Sequence, residues 1–194
     1  MAESRVDSLA AGVGQRLVPA GASGDTSTVH ALREVDAASS CSLSRGGHVR
    51  VLFVRREDYV AHPRSSGKIV HRIENEQQVE QGLNQMAAHL SAESGAEITI
   101  ESGFFSRTQW VDQVSMVRRA CVIVGAHGAG LSHILWARPG TKLVEVLPPA
   151  FRRPHFWAFS LWAGSPYRPI NTNSPIASPE AVAKVVQAAI MAGW

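Results

Sequence analysis

Short apolar, β-branched runs alternate with segments of helical periodicity from residue 49 to residue 192, and this alternation constrains the fold more than any other feature. Strands are predicted over 49–54, 98–100, 121–124 and 142–147, with a short extended piece at 167–170. Helices are predicted over 75–94, around 110–117, up to residue 136, and over 154–163 and 178–192. This order of elements indicates an α/β domain with a parallel sheet, in which ligands bind at the carboxyl ends of the strands.

The first 47 residues have a different composition. Ala, Gly and Ser supply 22 of them, and none is Trp, Tyr or Phe. A segment with so few large apolar groups cannot offset the entropy that folding removes. We therefore expect residues 1–47 to be a disordered tail and residues 48–194 to form one domain.

Charge and acid content exclude some ligand classes. The formal charge is only +3, from 19 basic and 16 acidic residues, and basic residues do not interleave with aromatic ones. Nucleic acid is therefore not an expected partner. The five aspartates never form a D-x-D pair, so no metal site is expected, and phosphates would be bound by arginines and backbone amides.

Targeting signals are not evident. The N-terminus has no basic region followed by an apolar run, so no signal peptide is expected. Residues 120–137 contain no charged side chain, but their histidines and glycines argue against a membrane span. Nothing in the positions of Cys41 and Cys121 suggests that they pair.

A glycine-rich turn, Gly125-Ala126-His127-Gly128-Ala129-Gly130, separates a predicted strand from a predicted helix. The free amides at a helix start favour anions, although a simple tight turn fits the same glycines. The His127 imidazole could donate to a phosphate or sugar hydroxyl, act in acid–base chemistry, or satisfy carbonyls of the turn. His127 and His133 do not share a helix face, so they are not expected to bind zinc.

Cations cluster after the first strand, where Arg55 and Arg56 are followed by Arg64, Lys68 and Arg72. Five cations beside a carboxyl end would suit a diphosphate, and an ordinary solvated basic loop is the alternative. Both readings remain open at the level of sequence.

Glu145 and three tryptophans are the remaining polar or aromatic features of interest. By alternation Glu145 shares a strand face with Leu143 and Leu147, where it could accept from a ribose or sugar hydroxyl or pair with an arginine or a backbone amide. The tryptophans are interpreted as core or as a surface that faces another domain, with sugar stacking as the alternative; they are Trp136, Trp157 and Trp162.

Together these residues resemble the family 61 glycosyltransferases, which include the EGF-domain O-GlcNAc transferase and xylosyltransferases. The most specific match is VGAHGAGLSHILWARPGTKLVEVLPP at 124–149. Supporting segments are LFVRR (52–56), HRIENEQQV (71–79), FSRTQWVDQVSMVRRA (105–120) and HFWAFSLWAG (155–164). The resemblance covers about residues 50–170, most of the foldable chain.

The resemblance implies a Rossmann-like parallel sheet flanked by helices, equivalent to the C-terminal donor-binding half of a GT-B enzyme. It implies an inverting, metal-independent transfer from a UDP-sugar to a hydroxyl of a glycan or glycoprotein, with no cofactor. It also implies a missing N-terminal domain, which residues 1–47 are too short to supply, and the ER or Golgi lumen as the family's compartment. A non-catalytic nucleotide-binding module is the alternative.

The resemblance also carries residue roles. Arg55 and Arg72 match arginines near the diphosphate, and Asn75 and Glu76 match an N-E pair. The donor-facing turn, with the motif glutamate, corresponds to His127, Gly128, Ala129 and Glu145. Adding the neighbours Arg56 and Gly130 completes the predicted donor site, in which His127 is the candidate catalytic base.

Overall fold

The computed structural model describes residues 41–56, 73–149 and 153–191. Five strands are β1 (His48–Arg55), β2 (Glu97–Phe104), β3 (Val122–Ala126), β4 (Lys142–Leu147) and β5 (Tyr167–Asn171). Four α-helices are α1 (Glu76–Ser94), α2 (Trp110–Arg119), α3 (His155–Trp162) and α4 (Pro179–Met191). Two 3₁₀ segments are η1 (Phe105–Arg107) and η2 (Ala129–Trp136).

The strands form one parallel sheet in the order β2-β1-β3-β4-β5. This confirms the predicted α/β class and the Rossmann-like parallel sheet. Because β1 lies between β2 and β3, the chain reverses its direction of winding there, and connections leave β1 and β3 toward opposite sides. In such sheets a crevice opens outside the carboxyl ends of the strands at that reversal.

Alternation of side chains along the strands divides the core between the two faces of the sheet. Val51 and Phe53 belong to the first face, which α1 and α4 cover, whereas Leu52 and Val54 belong to the second, with η2 and α3. Both cores contain fully buried β-branched and aromatic residues. The continuous apolar runs of the sequence therefore reflect strands that are buried on both faces.

Several predicted boundaries are confirmed. Helix α1 ends at Gly95, whose φ of 72° is the left-handed conformation that glycine adopts readily. Asn75 precedes α1 as predicted, but its side chain does not cap the helix. It instead donates to the Ala177 carbonyl at 2.8 Å and accepts from the Ala177 N–H at 2.9 Å, so it fastens α1 to the segment before α4.

Two elements differ from their predicted form. Strand β2 extends to Phe104, well beyond the predicted 98–100, because its polar second half hydrogen-bonds to β1 over its full length. The helix ending at Trp136 is a 3₁₀ helix. Within the described residues no helix is long and apolar enough to cross a membrane.

A disulfide joins Cys41 to Cys121, residues separated by 80 positions, so the expectation that they are unrelated was wrong. Their Cα atoms lie 5.5 Å apart. Cys41 forms a parallel bridge with His48, and the Gly46 N–H donates to the Gly95 carbonyl at 2.9 Å. Only 41–47 of the predicted tail are described, and these residues are bonded to the domain.

Candidate functional site

A cleft of about 280 Å³ opens at the carboxyl ends of β1, β2 and β3, where the winding of the sheet reverses. This is the position at which α/β sheets bind ligands. Its lining comes from the last residues of β1 and β3 and from the segments that follow the three strands. The lining residues are Val54, Arg55, Arg56, Phe105, Ser106, Ala126, Gly128, Ala129, Gly130, Leu131 and His133.

Two glycines permit close approach, Gly125 near the end of β3 and Gly128 in the turn that follows it. A Cβ on Gly125 would lie 2.7 Å from the carbonyl oxygen of Val54, so this glycine lets β3 pack against the end of β1. A Cβ on Gly128 would lie 2.8 Å from the guanidinium of Arg56. The glycine-rich turn therefore makes room both for the sheet and for an arginine in the cleft.

The start of η2 forms part of the lining of the cleft. The Leu131 N–H is bonded to the Gly128 carbonyl at 2.9 Å. The amides of Gly128, Ala129 and Gly130 precede this first hydrogen-bonded turn, and all three residues line the cleft. Amides at the start of a helix carry partial positive charge and favour anions.

Arg55 and Arg56 have different environments. Arg55 donates to Glu80 at 2.9 Å and to Glu76 at 3.4 Å, and its guanidinium lies 4.7 Å from the centre of the Phe104 ring. Arg56 donates its guanidinium to the His127 carbonyl and its backbone N–H to Glu76 at 3.0 Å. Two carboxylates thus neutralise Arg55, and the bond to the His127 carbonyl holds Arg56 against the glycine-rich turn.

The side chains of His127 and Glu145 lie together but do not line the cleft. Both residues point to the face that α3 covers, where His127 contacts the Phe156 ring at a centroid distance of 4.9 Å. Glu145 is fully buried and accepts from His127 Nδ1 and from the Tyr167 hydroxyl, the latter at 2.6 Å. Its partners are thus neither the arginine nor the backbone amide considered from the sequence.

The buried carboxylate also affects Tyr167. Burial, followed by the hydrogen bond to Glu145 and the charge of that carboxylate, raises the pKa of the Tyr167 hydroxyl above its ordinary value. The phenol therefore remains a donor at neutral pH. Sequence reasoning missed Tyr167, although its position in the short extended piece beside the strand of Glu145 was the available signal.

His133 was rejected as a zinc ligand, yet it lines the cleft. Its Nδ1 donates to the Gly130 carbonyl at 3.0 Å, and burial lowers the pKa of the imidazole. The ring packs against Phe105, with centroids 4.6 Å apart, and against Trp110 at 5.2 Å. The spacing of three residues from Gly130, one turn of a 3₁₀ helix, could have indicated this position.

The predicted donor-site residues thus fall into three groups. Arg55, Arg56, Gly128, Ala129 and Gly130 line the cleft, and Glu76 holds both arginines behind it. Asn75 joins Ala177, and His127 and Glu145 form a separate buried pair; Arg72 lies outside the described residues. Among the described residues, no group of three or more His, Cys, Asp or Glu side chains could hold a metal ion.

Comparison with known proteins gives one family and two relatives. The family model Glycosyltransferase 61 matches residues 19–144. A beta-1,2-xylosyltransferase of Arabidopsis thaliana is 39% identical over 151 residues, which is 77% of this chain and 28% of that protein. A beta-1,2-xylosyltransferase of Oryza sativa subsp. japonica is 41% identical over 123 residues, 63% of this chain and 22% of that protein. The chain spans about a quarter of the length of these relatives.

Proposed function

Because the chain belongs to glycosyltransferase family 61, we propose that its domain binds the diphosphate of a UDP-sugar and serves in transfer of that sugar to a glycan hydroxyl. The relatives are named for xylosyl transfer, so UDP-xylose is the first donor to test. The sheet corresponds in this proposal to the donor-binding half of a GT-B enzyme. Any further domain that transfer requires would lie in the part of such an enzyme that is not matched by this chain.

The observation that carries the proposal is that Arg56 and the first residues of η2 line the same cleft, with Gly128 directly beside the Arg56 guanidinium. A diphosphate placed there would accept from a guanidinium and from backbone N–H groups. Both are strong donors to anions. Arg55, already paired with two carboxylates, would mainly shape the wall of the cleft.

In the proposed reaction the acceptor oxygen bonds to the anomeric carbon as the bond to the diphosphate oxygen breaks. Attack from the opposite face inverts that carbon, and the acceptor loses its proton to a base. Charge that develops on the departing UDP would be stabilised by Arg56, by Arg72 and by the amides, rather than by a metal. His127 does not line the cleft, so we do not assign the role of base to it.

Calorimetric titration of UDP tests the proposal. We expect binding that EDTA leaves unchanged and that Arg56→Ala or Arg72→Ala weakens about 10- to 100-fold, the value of a charge-assisted hydrogen bond. Lys184→Ala is the matched control, since it removes an exposed cation from α4 on the opposite face of the sheet. Absence of UDP binding at millimolar concentration would refute the donor site.

A second measurement separates the enzyme from the binding module. UDP-xylose is incubated with the chain and a glycan acceptor, and release of UDP is followed with the formation of the xylosylated product. Transfer would assign catalysis to this chain. Binding without turnover would favour the nucleotide-binding module, with transfer requiring further parts of the enzyme.

A further inference from the structure

Four aromatic rings form a continuous path from the cleft to the surface. Phe105 and His133 line the cleft; His133 contacts Trp110, and Trp110 contacts Trp136 at a centroid distance of 5.7 Å. Phe105 is buried, whereas Trp110 and Trp136 are 52% and 51% exposed. We call these four residues the aromatic track.

The cleft end of the track carries an unused acceptor. Because His133 Nδ1 donates to the Gly130 carbonyl, the neutral ring has its lone pair on Nε2. This Nε2 is buried and has no hydrogen-bond partner in the structure as described. Buried polar atoms without partners are rare in native proteins, and a ligand hydroxyl that donates to Nε2 would satisfy this one.

We propose that the aromatic track binds a pyranosyl oligosaccharide, with sugar rings on Trp110 and Trp136 and a sugar hydroxyl donating to His133. This inference rests on the proposed function, since the oligosaccharide would be the acceptor glycan leading to the donor cleft. A pyranose has an apolar C–H face that packs on an aromatic ring, and hydroxyls at its edge. In this proposal the Trp110 and Trp136 rings pack on the apolar faces of the sugars, and His133 accepts from a hydroxyl.

The continuity of the rings with the cleft favours a glycan over a protein partner. Trp157 on α3 is as exposed as Trp110, at 52%, but it does not line the cleft. A general hydrophobic docking face would include Trp157 as well as Trp110 and Trp136. An acceptor whose reactive hydroxyl must reach the cleft would use only those on the track.

The test is titration of the chain with xylotetraose and mannotetraose, followed by tryptophan fluorescence and by the indole N–H signals in NMR spectra. We expect saturable binding that Trp110→Ala and Trp136→Ala each weaken about tenfold, the order expected from loss of an aromatic contact. Trp157→Ala should leave the affinity unchanged. Each variant's fold is checked by circular dichroism, and the indole shifts of the wild-type chain locate binding without any substitution.

UDP affinity, measured on the same variants, should be unchanged and separates the two proposals. If the wild-type chain does not bind UDP, the donor site is refuted. Oligosaccharide binding by the same chain would still place a glycan on the aromatic track. The inference is overturned if neither oligosaccharide binds, or if Trp157→Ala weakens binding as much as Trp110→Ala and Trp136→Ala do. Self-association that Trp110→Ala abolishes would also overturn it, by assigning the track to a protein interface.

Discussion

His127 and Glu145 form a buried pair across β3 and β4, joined by the hydrogen bond that the His127 ring nitrogen Nδ1 donates to the carboxylate. Tyr167 on β5 donates to the other carboxylate oxygen. A fully buried carboxylate is costly unless it accepts such bonds, so the two donors explain how an acid is tolerated on an apolar face. The pair is therefore a structural unit whose integrity can be measured through Tyr167.

Replacement of Tyr167 should change the alkaline stability of the domain. Its pKa is raised by burial and by Glu145, so the folded state holds the proton more tightly than the unfolded chain. This contribution is present below the unfolded pKa of about 10 and is lost as pH rises beyond it. Urea unfolding should show a steeper loss of stability above that pH in the wild type than in Tyr167→Phe. Equal slopes would contradict the prediction.

Substitution of Arg55 should mainly reduce stability, whereas substitution of Arg56 should mainly reduce ligand binding. Arg55→Ala leaves the buried Glu76 without one donor, so we expect a loss of about 1–3 kcal/mol in unfolding free energy with a small effect on UDP affinity. Arg56→Ala should have the larger effect on UDP affinity. Urea unfolding and calorimetry on both variants test this, and the reverse assignment would show that Arg55 is the phosphate ligand.

Substitution of Gly128 should mainly reduce UDP affinity, whereas substitution of Gly125 should mainly reduce stability. Gly128→Ala brings a methyl group against the flexible guanidinium of Arg56, which can move, so UDP affinity should fall with little loss of stability. In Gly125→Ala the new methyl group meets the backbone carbonyl of Val54, which cannot move away because it is part of the sheet. This variant should therefore lose about 1–3 kcal/mol of stability, as expected for overpacking. Thermal unfolding and UDP titration distinguish them. Similar stability losses would show that the turn is rigid throughout.

The fold could be predicted because the strands are buried on both faces and appear as uninterrupted apolar runs. The runs at 49–54 and 142–147 could be recognised as strands from their own residues. The second half of β2 could not be recognised, since it contains Glu101, Ser102 and Gly103 and depends on pairing with β1. The disulfide was equally hidden, because no local pattern relates residues separated by 80 positions.

The site could be predicted as a location more readily than as a set of contacts. Strand ends and glycines place the cleft, and five of the predicted residues line it. Side-chain direction, however, depends on tertiary packing. Glu145 alternates onto the predicted face, but only the sheet brings His127 and Tyr167 to it. His133 lines the cleft on η2, which is a 3₁₀ helix, whereas the sequence pattern predicted α-helical spacing.

His133 should titrate below an ordinary histidine. Burial lowers its pKa despite the hydrogen bond to Gly130, so the folded domain favours the neutral ring. The associated stability is present above the unfolded pKa of about 6.5 and is lost as pH falls through the lower folded value. NMR titration of the imidazole signals, assigned by comparison with His133→Asn, measures this pKa directly. A measured pKa at or above the ordinary histidine value of about 6.5 would contradict the prediction.

Reduction of the Cys41–Cys121 disulfide should destabilise the domain. The bond closes a long loop of the unfolded chain, and such cross-links typically contribute about 2–4 kcal/mol. Urea unfolding with and without dithiothreitol should show this difference in the wild type, while the Cys41→Ser/Cys121→Ser variant should be insensitive to reductant and resemble the reduced protein. Maleimide labelling of the denatured, unreduced protein should modify neither cysteine. Labelling of both would contradict the bond, because a paired thiol does not react.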